Sequence, residues 1–99
     1  MQLIENHLDH LKILCKKHHV DKMYLFGSAL NNTFNSESDI DFVVKFKPID
    51  LAQYFDNYIN FKEKLKKLLG REIDLLEEQS LKNPILLNSI IKNKVLVYG

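Results

Sequence analysis

The sequence predicts a small α+β domain, an α/β two-layer structure in which a short mixed β-sheet is packed by helices. Two observations predict it. Segments with apolar residues at helical spacing alternate along the chain with short runs that are typical of strands. Ninety-nine residues, 45% hydrophobic and 27% charged, suffice for one packed core and not for two. We therefore predict a single domain over residues 1–99.

The first helix is predicted over residues 2–18, and a strand follows it. Apolar positions at spacings of three and four form one stripe of the helix, namely Ile4, Leu8, Leu11, Leu14 or Cys15, and His18. Residues 23–26 are apolar, too few for a helix, and end at Gly27, so they predict a buried strand. Residues 29–38 are rich in Asn, Ser and Thr, which predicts a loop.

The second strand and the longest helix have the clearest patterns. Residues 39–46 alternate, with one face made of Ile40, Phe42, Val44 and Phe46 and the other of Asp39, Asp41, Val43 and Lys45. A long apolar helical stripe then runs to Gly70, a natural C′ residue. Asp50 and Gln53 predict a capping box at the start of this helix.

The chain closes with a strand, a helix and a strand. Residues 71–77 alternate again, with Glu72, Asp74 and Leu76 opposite Ile73, Leu75 and Glu77. Asn83 before Pro84 is typical of a helix start. Residues 94–98 predict a short terminal strand.

Composition excludes several classes of function. The net charge of +1 provides no basic field, so no direct nucleic-acid binding is expected. No stretch approaches the roughly twenty apolar residues that span a bilayer, and the amino-terminal segment lacks the apolar run of a signal peptide, so no membrane association is expected. The single cysteine, Cys15, indicates a reducing compartment, and we predict a cytoplasmic location.

Three aspartates interrupt the apolar strands. Asp39 and Asp41 are two residues apart on one strand, so both side chains project to the same face about 7 Å apart. Asp74 would add a third carboxylate if its strand is a neighbour. Oxygen ligands without His or Cys suit Mg²⁺ or Mn²⁺, and a pair of such ions about 4 Å apart is used in phosphoryl and nucleotidyl transfer. Taken singly, each aspartate is equally well explained as a cap or a solvated residue.

Gly27 and Ser28 follow a buried strand, where a glycine lets the backbone approach a phosphate and a hydroxyl can donate to it. Ten residues separate them from Asp39-Ile40-Asp41, and Asp74 lies in a later strand. This spacing resembles the signature of the polymerase-beta-like nucleotidyltransferase superfamily, and the short chain is similar to its minimal nucleotidyltransferases. The resemblance implies the polymerase-beta-like nucleotidyltransferase fold.

The resemblance also implies a role for each motif residue. Asp39 and Asp41 would ligate two Mg²⁺ ions, with Mn²⁺ as the alternative, and Asp74 would complete the shell of the catalytic ion and help activate the acceptor hydroxyl. Gly27 and Ser28 would hold the triphosphate, with Ser38 as a supporting hydrogen-bond partner. The family often has arginines shortly after Gly-Ser, whereas residues 29–32 are Ala, Leu, Asn and Asn. Lys45, Lys47 or Arg71 would be the substitutes.

The predicted reaction moves a nucleoside monophosphate, AMP from ATP or another NTP, to an acceptor hydroxyl and releases pyrophosphate. Because 99 residues leave no room for an acceptor domain, we expect the acceptor on another molecule or subunit. The resemblance implies a HEPN-type toxin as that acceptor, with this chain as its antitoxin; a homodimer stays open. Two alternatives are a catalytically decayed module that neutralises its partner by contact, and an enzyme that modifies a small molecule.

Overall fold

A computed structural model of the protein describes residues 2–26 and 39–99. In these ranges helices and strands follow one another in the predicted order. The helices are α1 (Gln2–Asn6), α2 (Leu8–Lys17), α3 (Leu51–Leu69) and α4 (Pro84–Asn93), the strands are β1 (Val20–Phe26), β2 (Ile40–Phe46), β3 (Ile73–Glu77) and β4 (Val95–Tyr98), and a short 3-10 helix spans Glu78–Ser80.

The strands form one mixed sheet in the order β3-β2-β1-β4. β1 is antiparallel to both β2 and β4, whereas β2 and β3 are parallel. The parallel pair needs a crossover connection, and α3 supplies it. The predicted class, a small mixed sheet packed by helices, is confirmed.

Helices cover one face of the sheet. Along β2 the predicted apolar face is buried, and it packs with residues of α2 and α3 in one core; the fully buried members include Leu11, Cys15, Met23, Ile40, Phe42, Val44, Phe61 and Leu65. Burial raises the pKa of the Cys15 thiol to about 12, so the thiol is protonated and inert at neutral pH. The main core therefore lies between the sheet and these two helices.

The opposite face of the sheet carries the polar side chains of β2. Tyr24 and Val43 are cross-strand partners on this face, and the ammonium nitrogen of Lys94 lies 3.9 Å from the centre of the Tyr24 ring. Val43 is buried as well, although the alternation groups it with Asp41 and Lys45. This face is thus apolar in its middle and charged at both ends.

The predicted single helix over residues 2–18 is wrong in one respect, because it is broken at His7. The His7 ring nitrogen Nδ1 hydrogen-bonds with the carbonyl oxygen of Leu3 at 2.9 Å, the acceptor that the His7 amide would use in a continuous helix. The His7 amide donates instead to Ile4, at 3.1 Å. A side chain that takes a carbonyl from the helical ladder breaks the helix at that point.

Other predicted boundaries differ in smaller ways. β1 begins at Val20, earlier than residue 23, because Val20 and Lys22 pair with the end of β2. Asp50 precedes α3, but its side chain makes no capping hydrogen bond, so the predicted capping box is not formed. Gly70 ends α3 in the left-handed conformation at φ 66°, as predicted.

The remaining predicted features are at the start of α4 and between the first two strands. The Asn83 side chain accepts a hydrogen bond from the Ile85 amide at 3.0 Å, which confirms the predicted start of α4. The predicted loop over residues 29–38 lies outside the described residues. Within the described ranges, no helix has the length and apolar character to cross a bilayer.

Candidate active site

Two of the three predicted aspartates face each other across neighbouring strands. Asp41 of β2 and Asp74 of β3 are Cα partners in the parallel ladder. Their chain neighbours Phe42 and Leu75 are buried in the core, so alternation directs both carboxylates to the opposite face. Adjacent strands lie about 4.8 Å apart, which brings the two carboxylates together on one patch of the sheet.

Asp39 is less closely associated with this pair. It precedes β2 and is exposed. In the described parts of the chain, no three His, Cys, Asp or Glu side chains are grouped so that they could hold a metal ion. Like charges at close range repel each other, so a gathering of all three carboxylates requires a cation among them.

The end of β1 borders the same patch. Phe26, the last residue of β1, is the cross-strand partner of Asp41. Gly27 and Ser28 come next in the sequence, and Ser38 directly precedes Asp39; all three lie outside the described residues. Their predicted roles toward the triphosphate therefore stay predictions.

Tyr58 is a residue that the sequence reasoning did not assign to this site. Its hydroxyl donates a hydrogen bond to the backbone carbonyl of Leu75, the neighbour of Asp74. Partial burial raises the pKa of Tyr58 above its ordinary value, and the negative charge of Asp74 adds to the shift. Tyr58 thus links α3 to β3 beside the aspartate pair. A tyrosine within the apolar stripe of a helix is the signal for such a role, since its polar tip needs a partner.

The cations proposed as substitutes for the missing arginines lie at different ends of β2. Lys45 is four residues beyond Asp41, about 13 Å along the strand. Lys45 and Lys47 line a groove of about 670 Å³ with Asp21 and Glu77, at the end of β2 away from the aspartate pair. Arg71 precedes β3 at the end where Ile40 and Ile73 pair. Of the three cations, Arg71 is therefore the one nearest the carboxylates along the sheet.

Two glutamates near Asp74 in the sequence, Glu72 and Glu78, have other positions in the structure. Glu72 forms an exposed ion pair with Lys66 at 2.9 Å. Glu78 begins the 3-10 helix after β3. Neither residue shares the pairing of Asp74 with Asp41.

The donor set of the patch fits Mg²⁺ or Mn²⁺. Both ions prefer oxygen ligands and are commonly held by one or two carboxylates, with substrate phosphates and water completing the shell. Asp41 and Asp74 supply such a pair on the sheet face opposite α2 and α3. The two carboxylates by themselves repel a phosphate group, and they would stabilise it only through a divalent cation held between them.

Comparison with known proteins identifies relatives over most of the chain. A family model described as polymerase beta, nucleotidyltransferase, matches residues 9–99. A protein of Methanocaldococcus jannaschii, named as a protein adenylyltransferase, is 36% identical over 88 residues, which are 89% of this chain and 87% of the relative. The protein adenylyltransferase MntA of Thermococcus cleftensis is 34% identical over 76 residues, 77% of this chain and 74% of MntA.

Solved structures show the same fold. A structure described as a minimal nucleotidyltransferase has a TM-score of 0.79 and 22% identity, covering 95% of this chain and 92% of that one. A toxin-antitoxin structure with AMP-PNP has a TM-score of 0.71 and 22% identity, covering 93% and 73%. A Shewanella oneidensis complex of a tri-AMPylated HEPN toxin with an MNT antitoxin has a TM-score of 0.67 and 20% identity, covering 100% and 73%.

These comparisons and the geometry agree. The family model covers nearly the whole chain, and the relatives exceed 30% identity over more than two thirds of it. The mixed sheet that places the two strand aspartates in register has the fold of a minimal nucleotidyltransferase neighbour. The chain therefore belongs to the polymerase beta nucleotidyltransferase family and is an enzyme of the protein adenylyltransferase type.

Proposed function

We propose that this enzyme transfers AMP from ATP to a hydroxyl group on a HEPN-type toxin and thereby acts as the antitoxin of the pair. The observation that carries the proposal is the register of Asp41 with Asp74 on the face of the sheet opposite the core. The named activities of the relatives support the reaction. Two fold neighbours, one a toxin-antitoxin structure with AMP-PNP and one a complex with an AMPylated HEPN toxin, support the ligand and the partner.

Asp41 and Asp74, together with Asp39, are the residues that would hold Mg²⁺ or Mn²⁺ in this proposal. When bound, the divalent cations supply Lewis acidity and neutralise the charge of the triphosphate. Asp41 pairs with one residue in each neighbouring strand, Phe26 in β1 and Asp74 in β3. Two ladders therefore fix its backbone position. Rigid strands hold such groups better than loops do.

The chain's own residues have distinct roles in the transfer. The acceptor oxygen forms a bond to the α-phosphorus of ATP, the bond from that phosphorus to the bridging oxygen breaks, and pyrophosphate leaves. The Asp74 carboxylate accepts a hydrogen bond from the acceptor hydroxyl and favours loss of its proton. Gly27, Ser28 and Ser38 are proposed to contact the triphosphate. Positioning of the two reactants then provides much of the rate enhancement.

The proposed cellular setting follows from the same features. We propose a cytoplasmic location because the lone cysteine, Cys15, is buried and needs no oxidising compartment. The antitoxin role requires a complex with the toxin, either stable or transient. Whether two copies of this chain associate is decided by sedimentation of the purified protein.

The test uses the purified chain, a HEPN-domain toxin as the acceptor, Mg²⁺ and ATP labelled at the α-phosphate. We expect label on the HEPN protein, and its loss with Asp39→Asn or Asp41→Asn. Asp21→Asn is the matched control, because Asp21 lies in the groove at the other end of the sheet. Binding of the partner without any transfer would instead establish the contact-only module.

A further inference from the structure

Helix α3 presents an apolar stripe to solvent along the flank of the helix that borders β3. Leu51, Phe55 and Ile59 are 79%, 67% and 54% exposed, and their spacing of four residues places them on one line along the helix. We call these three side chains the α3 stripe. A contiguous row of large exposed apolar residues on a small protein marks an interaction site more often than a chance surface.

The α3 stripe is continuous with the strand that carries Asp74. Phe55 lines a groove of about 320 Å³ together with Tyr58 of α3 and Leu76 of β3. Leu76 is two residues beyond Asp74, so the two side chains lie on the same face of the strand about 7 Å apart. β3 is an edge strand, so no further strand of the described sheet covers this side. A protein that covers the stripe can extend over this edge strand toward Asp74.

The rim of this surface is acidic along the amino-terminal half of α3, and Lys45 and Lys47 lie beyond Glu77 in the neighbouring groove. Between residues 50 and 61 the charged side chains are Asp50 and Asp56, both exposed, and Glu77 lines the groove with Phe55. The charge of Glu77 contributes to the raised pKa of Tyr54, after burial, so negative charge is present at the groove. The lysines of α3 begin at Lys62, beyond the stripe. The complementary partner has an apolar centre and basic flanks.

A second copy of this chain fits the surface poorly. If two α3 helices packed antiparallel about a two-fold axis at Phe55, Asp56 of each copy would lie beside the axis, and like charges would meet. An anionic membrane surface is disfavoured by the same acidic rim. The charges favour a different protein whose own helix is amphipathic and basic.

We propose that the α3 stripe and its groove form the docking surface for a basic amphipathic helix of the partner protein. This inference rests on the proposed function, because it assigns the surface to the protein that carries the acceptor hydroxyl. The partner's apolar side chains cover Leu51, Phe55 and Ile59, and its basic flanks meet Asp50, Asp56 and Glu77. Docking there holds the acceptor protein beside Asp74.

The test uses the full chain labelled with ¹⁵N and a synthetic helical peptide with leucines at every fourth position and flanking lysines. We expect peptide-induced shifts on α3 and β3, and an affinity that falls about tenfold or more with Phe55→Ser. The same peptide with glutamates in place of the lysines is expected to bind more weakly. Ile59→Ser should weaken binding, whereas Ile13→Ser, at a residue of similar exposure on α2, should not.

Other outcomes overturn the proposal. Equal affinity for the Phe55→Ser variant, or shifts confined to other elements, excludes this surface as the docking site. Sedimentation that shows a dimer abolished by Phe55→Ser would assign the stripe to a second copy. Binding of Mg²⁺ and AMP-PNP is measured in parallel on each variant. If the wild-type chain does not bind Mg²⁺ and AMP-PNP, the proposed function is contradicted. If it binds them but does not bind the peptide, only the docking surface is contradicted.

Discussion

Asp41 and Asp74 are direct partners in the parallel ladder of β2 and β3, although 32 residues separate them in the sequence. The helix α3 between their strands returns the chain to the same end of the sheet. Both side chains are thereby carried on the face opposite the core, where Asp41 is half-buried and Asp74 is exposed. This pairing brings two strand aspartates together in one candidate site.

Replacement of Asp74 by Asn should abolish most activity without loss of the fold. Nucleotidyl transfer is expected to fall by about 10²–10³, the usual cost of removing one charge-stabilising group. Because Asp74 is exposed, the free energy of unfolding should change by about 0.5 kcal/mol or less. Label transfer and urea unfolding measure the two effects. Unchanged transfer with Asp74→Asn would contradict the assignment of Asp74 to the active site. Glu63→Gln, at an exposed position of α3, is the control.

Replacement of Tyr58 by Phe removes the hydroxyl that binds the Leu75 carbonyl. We expect a loss of about 1 kcal/mol in the free energy of unfolding, since a half-buried acceptor loses its partner. The control is Tyr54→Phe, whose ring is stacked on Tyr58 with centroids 6.5 Å apart. Equal urea midpoints for wild type and Tyr58→Phe would show that water satisfies the carbonyl and that α3 does not fix β3 through this bond.

Two phenylalanines on α3 provide a matched pair for stability. Phe61 is fully buried, whereas Phe55 is 67% exposed. Phe61→Ala should cost about 3–5 kcal/mol, because it leaves a cavity in the core. Phe55→Ala should change stability by about 0.5 kcal/mol or less. Thermal and urea unfolding of both variants measure the difference, and a large cost for Phe55→Ala would show that the stripe supports the fold of the monomer.

His18 makes stability depend on pH in the acidic range. Burial lowers the pKa of His18 below its ordinary value of 6.5. The hydrogen bond to the Leu14 carbonyl at 2.8 Å raises the pKa, but by less than burial lowers it. The nearby positive charges of Lys64, Lys17 and His19 lower the pKa further. The unfolded chain therefore takes up a proton below pH 6.5 while the folded chain does not. Stability should fall as the pH decreases from 6.5 toward the lower folded-state pKa, by at most about 1.4 kcal/mol per pH unit.

The measurement is urea unfolding between pH 5 and 7.5 for wild type and His18→Gln. The wild-type chain should lose stability faster than the variant as the pH falls, because glutamine takes up no proton. Parallel slopes for the two proteins would show that His18 titrates alike in both states. His10→Gln, on the exposed side of α2, is the control for a histidine on the same helix.

Much of the fold was predictable because it depends on neighbours in the sequence. The alternation of residues 39–46 predicted the buried side of β2, and Gly70 and Asn83 marked a helix end and a helix start that the structure confirms. The break at His7 was not predictable from spacing, because the apolar stripe runs through it. It depends on which group reaches the Leu3 carbonyl, a choice between a ring nitrogen and an amide.

For the site, the sequence by itself determined which residue types are present, and that Asp41 and Asp74 each alternate with buried apolar neighbours. Local periodicity fixes the side of a strand to which a side chain points. The tertiary structure decided that β2 and β3 are neighbours, in the register that pairs these two aspartates, and that Tyr58 reaches Leu75. Such pairings are set by the packing of α3 on the whole sheet, which brings together residues far apart in sequence.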